Sequence, residues 1–175
     1  MKIALISRGI PGSGKSTFNR IFSEVCAEAG YAISIHSIDD YHMVDGKYVF
    51  QMDKLAWFHK RNYTAFSKSI SDGVDVVVVD NTNLKAKEYK DYVAVATNFG
   101  YPVVAVRFIP DEIEKHFARQ AHGVPFDRLV AMKESLIASG ASIGVTKEFV
   151  VQPSDFSEDY LRNLCKDIIK SVISE

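Results

Sequence analysis

Apolar residues along this chain switch between two spacings, and the switching predicts strands and helices in strict turn. A compact run, Ile3-Ala4-Leu5-Ile6, predicts a strand over about 2–7. Phe18, Ile21, Phe22, Val25 and Cys26 then recur at helical spacing, predicting a helix over 15–29 that Gly30 closes. A second strand is expected over 32–37, ending at Asp39-Asp40, and a polar turn over 44–47 separates it from a helix over 53–70 marked by Leu55, Phe58, Phe66 and Ile70. The third strand, 75–79, is a nearly unbroken valine run of the kind buried on both faces. It ends at Asp80-Asn81-Thr82-Asn83, with a helix expected over 84–98 and a fourth strand over 103–108. Asp111 and Glu114 have the spacing of a capping box for a helix reaching Arg119, and another helix is expected over 126–138. A Gly/Ser-rich link over 139–144 leads to a short strand at 148–151. The last helix carries the stripe Leu161, Leu164, Cys165, Ile168, Ile169 and Val172. Such alternation is the signature of an α/β protein with a parallel sheet covered on both faces.

Between the first strand and the first helix stands Gly9-Ile10-Pro11-Gly12-Ser13-Gly14-Lys15-Ser16, a complete G-x-x-x-x-G-K-S loop. Its glycines let successive backbone N–H groups turn inward around a phosphate, and the helix that follows adds its positive dipole end to the same anion. Gly12, Ser13, Gly14, Lys15, Ser16 and Thr17 are therefore the expected nucleotide contacts. Lys15 reaches the β and γ phosphates, and the Ser16 hydroxyl is an expected Mg²⁺ ligand. A strand before and a helix after give the motif the context it needs. The fold expected is a P-loop NTPase-type three-layer α/β fold with a parallel central sheet and a helical lid over about 112–138, and the cofactors expected are ATP and Mg²⁺.

Composition narrows the partners. The 175 residues suit one P-loop domain, 1–175. A hydrophobic share of 47%, a charged share of 25% and a net charge of −1 provide no global basic field to hold nucleic acid or a membrane surface. No secretory signal or membrane span is expected, and Cys26 and Cys165 fall on apolar helical stripes, as reduced thiols of a cytoplasmic protein do. The histidines show no metal-ligand spacing, which argues against a zinc site.

Parallel sheets hold ligands beyond the carboxyl ends of their strands. The second strand brings Asp39-Asp40-Tyr41-His42 there and the third brings Asp80-Asn81-Thr82-Asn83. If the first and third strands are neighbours, Asp80 lies near Ser16 and can hold Mg²⁺ directly or through water; capping the next turn is the alternative for this residue. Transfer of a phosphoryl group to an alcohol needs a base within reach of the hydroxyl, a role suited to Asp39 or Asp40. Strand geometry allows only one of the two to point easily into a cleft, and spacing alone does not choose between them. Arg119, at the break between two helical patterns, can close over the triphosphate and offset transition-state charge, or stand as a surface arginine. Tyr41 and Tyr48, in the loop, are the better candidates for stacking on an acceptor base, whereas Phe58 reads as core.

In this order, the Gly-Ile-Pro-Gly-Ser-Gly-Lys-Ser-Thr loop, Asp39-Asp40-Tyr41, Val79-Asp80-Asn81-Thr82-Asn83, and Arg119 with His122-Gly123-Val124-Pro125 resemble the polynucleotide kinase-like P-loop family. The resemblance covers residues 1–136. It implies an ATP-dependent kinase acting on the 5′-hydroxyl of DNA or RNA, with Lys15 and Ser16 on phosphates and Mg²⁺, Asp39 as general base and Arg119 as a lid arginine. Asp40, Tyr41, His42, Asn81 and Asn83 are the acceptor-side residues it suggests. The phage member carries an arginine where this chain has His42, and a second lid arginine is replaced near His122. A kinase for a nucleoside or another small hydroxylated metabolite, and a nucleotide switch that transfers to no acceptor, are the alternatives.

Overall fold

The structure, a computed structural model, describes residues 1–173. Its main sheet is built from β1 (Ile3–Arg8), β2 (Ile33–His36), β5 (Val76–Asp80), β6 (Val103–Phe108) and β7 (Lys147–Val151) in the order β2-β5-β1-β6-β7, every neighbouring pair parallel. The helices are α1 (Lys15–Glu28), α2 (Leu55–Ser71), α3 (Ala86–Asn98), α4 (Ile113–Arg119), α5 (Phe126–Ser139) and α6 (Glu158–Ile173).

The two-residue period of the strands divides the core between the faces. Ile3, Leu5, Val76 and Val78 point toward α1 and α6, where Phe18, Phe22, Cys26, Leu161 and Cys165 complete one cluster. Ala4, Ile6, Val77 and Val79 point the other way, onto Phe66 and Ile70 of α2 and Tyr89 and Val93 of α3. Both cysteines are free and buried, and burial pushes each thiol up to about 12. A smaller cluster, Ile10, Leu84, Ile113, Leu129 and Leu136, seats α4 and α5 beside the phosphate loop.

Three details depart from the sequence expectation. The polar turn is a β-hairpin of β3 (Met43–Val44) and β4 (Lys47–Tyr48), whose central Asp45 and Gly46 both have positive φ, at 49° and 76°. That is the Asp-Gly turn whose twist suits a two-residue hairpin. The capping box is absent: Glu112 is the N-cap of α4, and no side chain caps it. Instead Asp111 Oδ1 accepts from the Glu112 N–H, while the Asp111 N–H donates to His116 Nε2, so the imidazole reaching back from within the helix takes the role. The helix expected from 84 starts two residues later, at Ala86, because Asn83 has φ 47° and breaks the helical path.

β1 lies between β5 and β6, with Ser7 opposite Asp80. The phosphate loop therefore leaves the sheet directly beside the end of β5, and β2 delivers Asp39 on the far side of β5.

Candidate active site

A cavity of about 390 Å³ opens at this carboxyl edge. It is lined by the loop 11–17 together with Asp39, Asp80 and Asn81, with Arg119 and His122, and with Ile109, Pro153 and Phe156.

The loop holds its shape through glycine. Gly12 has φ 75° and Gly14 φ 93°, in the left-handed region that side chains disfavour. A Cβ on Gly12 would come 2.7 Å from the His116 carbonyl oxygen, and one on Gly14 would come 2.2 Å from the Phe156 ring. His116 ties α4 to the loop through its Nδ1 and the Pro11 carbonyl, 3.2 Å apart. Ser16 and Thr17 stand exposed on the first turn of α1, which carries no acidic residue to neutralise the helix's positive end. Lys15 Nζ donates to the Gly9 and Ile10 carbonyls at 3.0 and 3.1 Å. Burial holds its ammonium below the usual lysine range, while Asp80 and Asp39 pull it back up. Burial pushes the Asp80 carboxyl up, and Lys15 together with the Asn19 amide opposes the rise. Ser13 Oγ is buried without a hydrogen-bond partner.

These residues fit the triphosphate and Mg²⁺ expected from the sequence. Inward amides, a lysine and an unneutralised helix end suit an anion, and an unpartnered Ser13 hydroxyl has donor capacity to spare. Ser16 and Asp80 face the same cavity with oxygen donors, and Mg²⁺ commonly takes only one or two protein oxygens beside phosphates and water. Among the described residues no group of three or more His, Cys, Asp or Glu is assembled for a metal.

Of the adjacent acids, Asp39 lines the cavity and Asp40 does not. Residues Ile38–His42 form a short 3-10 helix, capped where Ser37 Oγ accepts from the Asp39 N–H, and held where Asn81 Oδ1 accepts from the Ile38 N–H at 3.0 Å. Asn81 thus positions the Asp39 turn while lining the cavity itself. Tyr48 Oη donates to Asp39 Oδ1 and His122 Nε2 approaches Asp39 Oδ2, each at 3.4 Å. Partial burial pushes the Tyr48 phenol up to about 12, and Asp39 adds to the rise. The Asp40 carboxyl is raised by partial burial and by Asp39 beside it.

Besides Asp40, three residues expected on the acceptor side are placed differently. His42 is 1% exposed, packed against Phe58, Phe50 and Tyr48, and its Nδ1 accepts from the Gln51 N–H. The 3-10 turn points it inward toward α2, so it belongs to the packing beneath the hairpin. Asn83, also 1% exposed, donates from Nδ2 to the Ser7 carbonyl at 2.8 Å, because its left-handed backbone aims the amide at β1. It clamps two strand ends and does not face a substrate. Tyr41 lies outside the cavity lining, stacked on Phe58.

Arg119 is exposed at the cavity rim, its Nε donating to the Lys115 carbonyl. The turn after it is stapled by Gln120, whose amide bonds both the N–H and the carbonyl of Val124, and this presents His122 to Asp39.

The model of the AAA domain family matches residues 5–136. The chain belongs to that family. It is 31% identical over 138 residues to human NEDD4-binding protein 2, an alignment that takes in 75% of this chain and 7% of that protein, so the chain spans a small fraction of this relative's length. Its fold superposes on a chain of the Pnkp1/Rnl/Hen1 RNA repair complex with a TM-score of 0.63 and 19% identity, covering 79% of this chain and 45% of that one. It likewise superposes on the Mycobacterium tuberculosis APS kinase CysC in complex with AMPPNP and APS, with a TM-score of 0.62 and 16% identity over 99% and 98% of the chains. The fold is that of P-loop kinases, with a parallel five-stranded sheet between helical layers.

Other members of this AAA domain's cavity wall are less legible in the sequence. Phe156 and Pro153 follow β7, in a polar stretch without a motif; an aromatic set alone before the last helix is the one available signal. Arg8, at the end of β1, is fully buried, and its guanidinium donates to the carbonyls of Asn83, Leu84 and Gly140 and to the hydroxyls of Ser139 and Ser142. It fixes the turn after β5 to the link that follows α5.

Proposed function

We propose that the protein is an ATP-dependent, Mg²⁺-dependent kinase that moves the γ-phosphate of ATP to a hydroxyl, that of a DNA or RNA 5′ end. The observation that carries this reading is the shared cavity of Lys15 and Asp39, a phosphate-binding loop facing a carboxylate beyond the next strand. A carboxylate so placed suits a proton-accepting role toward an incoming hydroxyl.

Loop amides and Lys15 bind and orient the phosphates, and Ser13 has a hydroxyl free for them. Asp39 accepts the proton of the incoming hydroxyl. That oxygen bonds to the γ-phosphorus as the bond to the β,γ-bridging oxygen breaks, leaving ADP and a phosphate monoester. Arg119 at the rim offsets the charge spread over the transferring group. Ser16 with Asp80 would hold Mg²⁺, which would supply neutralisation of charge on the phosphate oxygens. Asn81 acts by holding the Asp39 turn. Phe156, Pro153 and Ile109 give the nucleobase an apolar wall.

The reading takes residues 1–175 as one domain with a lid at about 112–138. Two buried, unpaired cysteines suit a cytoplasmic site, and among the described residues no helix is long and apolar enough to cross a membrane. A second reading, a kinase for a nucleoside or other small hydroxylated metabolite, is favoured by the net charge of −1 and by the Asp39 carboxylate in the cavity lining.

Labelled ATP offered with 5′-OH oligonucleotides, with nucleosides and with no acceptor tests the assignment. Label on the oligonucleotide end is the expected result. Label on nucleosides alone selects the second reading, and phosphate release unaffected by any acceptor defeats both.

A further inference from the structure

Most arginines near the sheet edge are engaged. Arg8 is wrapped in carbonyls and hydroxyls, Arg107 bonds Glu148, and Arg162 bonds Glu24 and Glu28. Arg61 differs. Its guanidinium lies between two rings, 4.9 Å from the centroid of Tyr41 and 4.7 Å from that of Trp57. Among the described residues it makes no ion pair and no hydrogen bond. Trp57 precedes it by one turn of α2, so the two share a helix face, whereas Tyr41 comes from the 3-10 turn that carries Asp39. Tyr41 is in turn stacked on Phe58, 5.8 Å between centroids. The rings therefore restrict the guanidinium while leaving its N–H edge unengaged, a pre-organised fork for a phosphate.

Its location gives that fork a purpose. Asp39 makes its part of the cavity anionic, and Tyr41, two residues on in the same 3-10 turn, ties Arg61 to that turn, so a phosphodiester approaching Asp39 has a fixed cation to offset the carboxylate. Trp57, 52% exposed, offers flat apolar surface next to the cation. Aromatic faces beside an arginine suit unpaired bases on a phosphate backbone better than a small neutral alcohol, which would use neither.

We propose that Tyr41, Trp57 and Arg61 form a binding site for single-stranded polynucleotide, Arg61 taking a backbone phosphate and Trp57 stacking a base. The proposal rests on the kinase reading for its purpose, since it gives Asp39 a polymeric acceptor. Its binding claim is measured without transfer.

Trp57 is the chain's single tryptophan, so intrinsic tryptophan fluorescence reports on this site alone. The full chain, without ATP, is titrated with a single-stranded 5′-OH oligonucleotide at several salt concentrations. Saturable quenching is expected, weakened about tenfold or more in Arg61→Ala. The slope of log affinity against log salt should shrink by about 0.7 in that variant, the worth of one phosphate contact on a single strand. Arg61→Lys, which keeps the charge and the helix, should retain the slope and lose part of the affinity. Absence of quenching, equal affinity in native chain and Arg61→Ala, or equal quenching by inorganic polyphosphate overturns the site. Transfer from labelled ATP is scored separately: no transfer to any acceptor defeats the kinase reading, whereas the fluorescence titration decides this one.

Discussion

His122 Nε2 lies 3.4 Å from Asp39 Oδ2, while the His122 ring packs 4.2 Å, centroid to centroid, from Tyr48, whose hydroxyl reaches the other oxygen of the same carboxylate. The Asp39 carboxylate, the base of the proposed transfer, is thus held from both sides, once by the hairpin and once by the turn between α4 and α5. Removing the lid-side hold with His122→Ala should lower kcat by roughly tenfold, about 1.4 kcal/mol of lost positioning, with little change in KM for ATP. Initial rates at saturating ATP measure it; an unchanged kcat would take His122 out of the site.

The two neighbouring acids should separate cleanly. Asp39→Asn is expected to reduce transfer by about 10²–10⁴-fold while leaving nucleotide binding in place, the usual worth of a general base. Asp40→Asn, outside the cavity lining, should cost less than about threefold. Equal losses in the two variants would mean that the carboxylates act as a shared electrostatic feature and that neither is the base.

The difference between these acids shows what the sequence could and could not reveal. Periodicity finds every strand and helix of the main sheet, because burial on both faces imposes long apolar runs that chain order preserves. The phosphate loop is equally legible, since its glycines are demanded by backbone conformation at Gly12 and Gly14. Which of Asp39 and Asp40 enters the cavity depends on the 3-10 turn, and that turn is held by Asn81, just past the end of β5 and about forty residues away in sequence. His42 and Asn83 look like site residues because they sit in polar clusters at strand ends, yet their rings and amides are spent on Gln51 and Ser7. Phe156 reaches the cavity from the end of the short 3-10 turn after β7, where its ring meets Gly14, a relationship no local pattern carries.

Phe156 and Gly14 form a steric pair. Gly14→Ala would place its Cβ 2.2 Å from the Phe156 ring at a backbone φ of 93°. The expected cost is about 1–3 kcal/mol of stability, together with weaker nucleotide binding, from strain and from displacement of the ring. Adding Phe156→Ala should return the steric part and leave the backbone part. Thermal denaturation of the single and double variants reads both, and no recovery in the double variant would exclude the ring as the source.

Arg8 is the least replaceable charge in the fold. Burial lowers its affinity for the proton, while Tyr89 and Glu148 support the cation, with Glu148 Oε1 at 3.7 Å. Arg8→Met should destabilise the protein by about 3–5 kcal/mol, because the carbonyls of Asn83 and Gly140 lose their donor together and that of Leu84 keeps only the Ser139 hydroxyl. Chemical denaturation measures it, and a loss below about 1 kcal/mol would show that water replaces the guanidinium.

His116 gives the fold a pH dependence of definite sign. Its imidazole is buried between the Asp111 N–H, which it accepts through Nε2, and the Pro11 carbonyl at Nδ1. Burial lowers its pKa from the ordinary 6.5; the Pro11 carbonyl opposes the shift, and Arg119 adds to it. The unfolded chain therefore takes up this proton at a higher pH than the folded one. Between the two values the unfolded state binds more protons, so stability is full above about pH 6.5 and falls as pH drops below it, until the folded histidine is protonated too. His36, whose pKa is also lowered by burial, contributes in the same direction. Unfolding free energies from denaturant titrations at a series of pH values should thus decline below about pH 6.5, with a shallower decline in His116→Asn. Because His116 joins α4 to the phosphate loop, nucleotide affinity should weaken only at the lower end of this range, where the folded imidazole takes up its proton and can no longer accept from the Asp111 N–H, and a decline equally steep in His116→Asn would contradict the neutral, buried imidazole.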